Sequence, residues 1–149
     1  MNKPLDLPPG FSPDALVVDH PADGTFLVNR RLFTDPEIFE QELARIFEGS
    51  WIYVCHESQV PNPGDFFTTH MGRQPVFIVR GQDSQVRGFI NACAHRGAVL
   101  CRTRRGNQKF FTCPYHGWAY DTEGKNRDIK DRATGGYPAA FETQSHDLT

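Results

Sequence analysis

Cys93-Ala94-His95-Arg96-Gly97 and Cys113-Pro114-Tyr115-His116-Gly117-Trp118 each carry one thiol and one imidazole, with seventeen residues (96–112) between His95 and Cys113. Within that insert, Gly106-Asn107 is flanked by the runs 100–103 and 109–112, a pattern that predicts a hairpin returning both ends to one place. The two pairs would then face each other, four ligand-type side chains converging from two loops.

Outward from this stretch, the runs 51–56, 66–71, 75–80, 86–91, 109–112 and 118–120 read as short strands, punctuated by Gly64-Asp65, Gly72-Arg73, Gly81-Gln82 and Gly106-Asn107. Strands this closely spaced predict a mainly β fold, a small antiparallel domain of stacked sheets with two ligand-bearing loops. One helix over 35–48 precedes it. Thr34 and Glu37 read as its capping box, Pro36 as its first turn, and Ile38, Phe39, Leu43, Ile46 and Phe47 as its apolar stripe before Gly49. The proline-rich, acidic segment 1–30 reads as an extended arm, leaving 31–149 as the domain.

Composition narrows the partners. A chain of 149 residues has room for one domain with a real core. A formal net charge of −2 argues against a nucleic-acid or membrane-surface partner, which asks for a broad basic face. The first twenty residues lack the apolar core of a secretory signal, and runs such as 51–55 are too short to span a bilayer, so the expected location is cytoplasmic. In that setting four cysteines are better read as metal ligands or buried thiols than as disulfides.

Two thiolates with two imidazoles suit either one tetrahedral zinc or a two-iron cluster whose irons each take a like pair. The spacing favours iron, because zinc fingers usually place both cysteines in one element and both histidines in the other. Here each loop mixes the two and could give its sulfur to one iron and its nitrogen to the other.

The quoted segments resemble the Rieske [2Fe–2S] motif of aromatic ring-hydroxylating dioxygenase large (alpha) subunits, most of all the benzoate, halobenzoate and anthranilate 1,2-dioxygenases. The resemblance makes Cys93, His95, Cys113 and His116 the cluster ligands. Arg96, Gly97, Tyr115, Gly117 and Trp118 surround them. Gly97 and Gly117 would let backbone N–H groups approach the sulfurs, or serve only as turn glycines. Tyr115 and Trp118 would screen the cluster from water, and a phenol could hydrogen-bond a ligand sulfur.

The resemblance implies more. Rieske proteins of respiratory complexes carry a disulfide where this chain has Ala98 and Tyr115, and its absence implies a potential near the low end of the Rieske range, about −150 mV. His116 would hydrogen-bond an aspartate of a neighbouring subunit leading to a mononuclear iron, where an aromatic substrate, by this likeness an aromatic carboxylate, is dihydroxylated. The partners implied are an NAD(P)H-dependent reductase or ferredoxin and neighbouring large subunits, in a homotrimer or α3β3 assembly.

A mononuclear Fe(II) site needs two histidines and a carboxylate, whereas His20, His56, His70 and His146 are scattered. The expectation is therefore the Rieske portion of a longer large subunit, without the C-terminal catalytic domain and without a catalytic residue of its own. The alternative is a free-standing Rieske ferredoxin. Cys55 and Cys101 read as small buried residues. The basic set Arg96, Arg102, Arg104, Arg105 and Lys109 would ring the ligand loops and either dock an acidic reductase or ferredoxin or form only a solvated hairpin.

Overall fold

Short β-forming runs broken by turn residues dominate the chain after residue 60, and in the computed structural model, which describes residues 16–149, they build two antiparallel sheets. The chain clusters into two units, Met1–Trp51 and Ile52–Thr149. The break falls after Trp51, not after residue 30, so the helical segment groups with what precedes it. Among the described residues no helix is long and apolar enough to cross a membrane.

In the first unit the expected arm is corrected over its second half; residues 1–15 lie outside the described part. Val17–His20 (β1) and Thr25–Val28 (β2) pair antiparallel. The Asp23 carboxylate accepts from the Thr25 amide at 3.0 Å to close the turn. Val17, Val18, Phe26, Leu27 and Val28 are strand formers around a Pro-Ala-Asp-Gly turn, a signal hidden by the proline-rich residues before it.

The single helix over 35–48 also resolves differently, into α1 (Arg31–Thr34), α2 (Pro36–Glu42) and a π-helical turn, Leu43–Phe47. The cap of α2 is Asp35, not Thr34: its carboxylate accepts from the Glu37 amide at 3.0 Å, with Pro36 in the first turn. Thr34 ends α1 and donates its hydroxyl to the Arg30 carbonyl. Arg31 bonds the Asp35 carboxylate at 2.9 Å and holds it below the usual range. Ile38 and Leu43 are buried, whereas Phe39, Ile46 and Phe47 of the expected stripe are exposed.

The second unit holds Asp65–Met71 (β3), Gln74–Arg80 (β4), Val86–Ile90 (β5), Arg105–Asn107 (β6), Phe110–Thr112 (β7), Trp118–Asp121 (β8) and Asn126–Ile129 (β9). They form a four-stranded sheet, β5-β4-β3-β6, and a three-stranded one, β7-β8-β9. Alternation along β3 and β4 sends Phe66, Phe77 and Val79 into a core shared with Phe111, Trp118, Tyr120 and Ile129 of the smaller sheet. Phe67, Val76 and Ile78 point the other way, into a second core with Val60. Val54 and Cys55 pack against that second core as irregular chain, so the expected strand over 51–56 does not form.

The insert is not a hairpin. Arg105–Asn107 pairs with β3, opposite Asp65 to Phe67, while Phe110–Thr112 pairs with β8. Gly106 is therefore a strand residue rather than a turn residue. A Cβ there would lie 2.6 Å from the Phe66 ring, so glycine is what allows that ring to fill the core.

Candidate functional site

The two ligand loops leave different sheets but fold alike. The first follows β5; the second is the hairpin loop between β7 and β8. In the first, Cys93 N–H donates to the Ala98 carbonyl and Gly97 N–H to the Cys93 carbonyl, both at 2.8 Å. In the second, Cys113 N–H donates to the Trp118 carbonyl at 2.7 Å and Gly117 N–H to the Cys113 carbonyl at 3.0 Å. Each loop turns on a glycine with positive φ, 71° at Gly97 and 70° at Gly117. These two amides are committed to cysteine carbonyls rather than to sulfur, so the turn role is the one the geometry shows.

Asn91 closes the base of the first loop. Its Nδ2 donates to the Cys101 carbonyl and its Oδ1 accepts from the Cys101 amide, each at 2.9 Å. Asn91 and Cys101 are both buried, and burial pushes the Cys101 thiol up to about 12. Cys101 is thus a packed, inert thiol, and Cys55 is half-buried on the outer core.

Of the four expected ligands, His95 and His116 meet ring to ring, and His95, Cys113 and His116 line one cleft. Cys93 and Cys113 are buried and unpaired, and burial, partly offset by hydrogen bonding, raises the Cys93 thiol. The rings of His95 and His116 lie edge to face with centroids 4.8 Å apart. Burial and the neighbouring His116 and Arg96 charges push the His95 imidazole down. Nδ1 of His95 and Nδ1 of His116 are both buried with no hydrogen-bond partner. Two sealed imidazole nitrogens without partners, beside two buried thiols, are costly unless a metal group takes them, and that donor set fits an iron–sulfur cluster. Among the described residues no three His, Cys, Asp or Glu side chains are placed to hold a single metal ion.

The surrounding residues differ from expectation in one respect. Tyr115 is 62% exposed, and its ring lies 3.8 Å from that of His116, with the Arg96 guanidinium 5.9 Å away. Trp118, only 2% exposed, stacks on His95 at 4.8 Å and 12°. The phenol that reaches a sulfur of the expected set belongs to Tyr120, which the sequence reading missed. Its hydroxyl is 3.2 Å from Cys93 Sγ and accepts from the Ala94 amide at 3.1 Å, which leaves its proton for the sulfur. Burial and the adjacent Cys93 raise the Tyr120 phenol, keeping it a neutral donor. The signal was available: Trp118 and Tyr120 alternate on one strand leading out of the ligand loop.

A cleft of about 410 Å³ opens beside the histidines, lined by His95, Tyr115, His116, Lys130, Asp131 and Tyr137 among others. Arg104 and Arg105, expected to ring the loops, instead pack their guanidinium groups over Phe67 at 5.5 and 5.4 Å. His56 caps a short 3₁₀ turn, accepting from the Ser58 amide. The end of the chain is laced to the second unit. Asp147 accepts from the Asn126 amide at 2.7 Å and pairs with Lys125 at 2.9 Å, while Leu148 N–H donates to the Gly124 carbonyl at 2.8 Å. Ile90 N–H donates to the Thr149 carbonyl at 2.8 Å.

Residues 50–141 match the family model described as Rieske [2Fe-2S] domain. The chain is similar to toluate 1,2-dioxygenase subunit alpha of Pseudomonas putida, 48% identical over 91% of this chain and 30% of the relative. It is also similar to the 2-halobenzoate 1,2-dioxygenase large subunit of Burkholderia cepacia, 46% identical over 89% of this chain and 29% of that protein. Among solved structures, naphthalene 1,2-dioxygenase from Rhodococcus sp. superimposes with a TM-score of 0.75 at 32% identity, covering 82% of this chain and 28% of that one. The chain therefore spans under a third of the length of these relatives.

Proposed function

This chain belongs to the Rieske [2Fe-2S] domain family, and from that premise we propose that it is the electron-transfer portion of an aromatic ring-hydroxylating dioxygenase large subunit. The observation that carries the reading is the pair of buried, partnerless Nδ1 atoms on His95 and His116, in the same two loops as the buried thiols of Cys93 and Cys113. In it, Cys93, Cys113, His95 and His116 would hold the cluster, the histidines through Nδ1. When bound, the cluster supplies reversible one-electron chemistry without a proton-coupled covalent step.

The protein's own residues prepare that exchange. Tyr120 keeps a proton aimed at Cys93 Sγ. A donor there favours the more negative, reduced state. Trp118 closes the inner face of His95 against water. With Nδ1 occupied, Nε2 is the nitrogen each imidazole has left for a partner. Electrons would arrive from an NAD(P)H-dependent reductase or ferredoxin and leave through the half-buried His116 edge toward a mononuclear iron in a neighbouring large subunit. The likeness to toluate and 2-halobenzoate dioxygenases favours an aromatic carboxylate as the substrate of the whole enzyme.

Similarity running over 91% of the chain, well beyond the ligand loops, favours a large-subunit segment over a free-standing carrier. A lone zinc would draw its donors around one point, and no three do so among the described residues. The test is anaerobic reconstitution with iron and sulfide. A coloured protein with a Rieske-type EPR signal after dithionite, lost in Cys113→Ser, is the expected result; a colourless, EPR-silent sample rejects the reading.

A further inference from the structure

The two histidines are held very differently. His95 stacks on Trp118 at 4.8 Å and 12°, and Trp118 is itself boxed in on its other sides. Trp118 Nε1–H donates to the Tyr137 hydroxyl at 3.3 Å. Phe141 meets the indole edge to face at 6.1 Å, and His146 does so at 5.4 Å. These three rings also pack on one another, Tyr137 on Phe141 at 5.0 Å and Phe141 on His146 at 4.8 Å. All three come from the segment after β9, outside both ligand loops. That segment is tied down by Arg132 donating to the Phe141 carbonyl at 2.8 Å and by the Asp147, Leu148 and Thr149 bonds described above.

Among the described residues His116 has no such backing from the segment after β9. Its aromatic neighbours are Tyr115, adjacent in sequence and 62% exposed, and the His95 ring, edge-on at 4.8 Å. The difference matters because the terminal torsion of a histidine side chain is broad, so rotamer preference alone does not set the plane of the imidazole. Packed, offset or edge-on aromatic neighbours do set it.

We propose that Tyr137, Phe141 and His146 are positioning residues for His95, acting through Trp118 as an aromatic brace that fixes the plane of one ligand imidazole while the other stays adaptable. The proposal rests on the assignment of both histidines as cluster ligands. It assigns a role to the 137–146 segment that simple closure of the core would not require. Tyr137 fixes the rotation of the indole through its hydroxyl, and Phe141 and His146 stop the indole from sliding away from His95.

The experiment uses the full chain, reconstituted and reduced, and reads the hyperfine couplings of the two coordinating nitrogens by ENDOR, with cluster content and melting temperature alongside. Phe141→Ala and Tyr137→Phe are expected to shift one nitrogen coupling and leave the other at its wild-type value. Phe141→Tyr, which keeps the ring, should restore the wild-type pair. Tyr115→Ala should move the other coupling instead. A merely structural role predicts a lower melting temperature with both couplings unchanged, and that result, or equal shifts at both nitrogens, overturns the proposal. If Phe141→Ala fails to load, Tyr137→Phe decides, since it removes a single oxygen. Failure of the wild-type chain to form a cluster overturns the ligand assignment as well, and so is distinguishable from failure of the brace alone.

Discussion

Replacing Tyr120 by phenylalanine isolates one atom's contribution to the site. The ring stays, so the core it fills between the sheets is preserved, and only the hydroxyl is lost. That hydroxyl stands 3.2 Å from Cys93 Sγ and accepts from the Ala94 amide at 3.1 Å. A hydrogen bond to a charged acceptor contributes about 1.5–3 kcal/mol, against about 1 kcal/mol for a neutral one. Adding an electron makes the sulfur a better acceptor, so the bond strengthens on reduction by about 1 kcal/mol. For a one-electron couple, where 59 mV is a tenfold change, that is roughly 40 mV. The sign follows: a donor stabilises the reduced state, and Tyr120→Phe should lower the midpoint by about 40 mV in a redox titration monitored by EPR. Ala94 is exposed, so water can replace its lost partner and the stability change should stay below about 1 kcal/mol. A fully loaded variant whose midpoint is unchanged or raised would refute the reasoning.

Asn91→Ala should destabilise the domain by about 2–4 kcal/mol in urea unfolding, because both the amide and the carbonyl of buried Cys101 lose their partner; a loss under about 1 kcal/mol would show that the clamp is dispensable. Asp83 is held at about 2 chiefly by its hydrogen bonds to Arg87, with burial opposing. A depressed carboxylate pKa contributes stability above its ordinary value of 3.8 that fades as pH falls toward 2. Thermal unfolding between pH 2 and 4 should therefore depend less on pH in Asp83→Asn, and identical slopes would show that this exposed pair contributes nothing to folding.

The site was more legible in the sequence than the path of the chain around it. Cys93, His95, Cys113 and His116 stood out because thiol and imidazole recur at close spacing, and the strands 66–71, 75–80 and 86–91 because runs of strand-forming residues there are bounded by turn residues. What misled was local punctuation. Gly106-Asn107 has the composition of a turn, but its glycine serves a distant ring, Phe66, which no window of neighbouring residues reveals. The run 51–56 has strand-forming residues yet pairs with no strand, and Val54 and Cys55 pack irregularly against the second core instead. Asp35 and Thr34 are both capping residues, and only the break between α1 and α2 chooses between them. Tyr137, Phe141 and His146 are isolated aromatics in the chain and become a group only through the return of the last residues.

Because the chain crosses from β6 to β7 instead of doubling back, each half of the grip is anchored in a different layer of the sandwich. A prosthetic group held by both loops would work as a rivet: shearing one layer against the other would then have to pull its ligands away. Cohesion of the layers and retention of such a group would then be a single mechanical property of the domain.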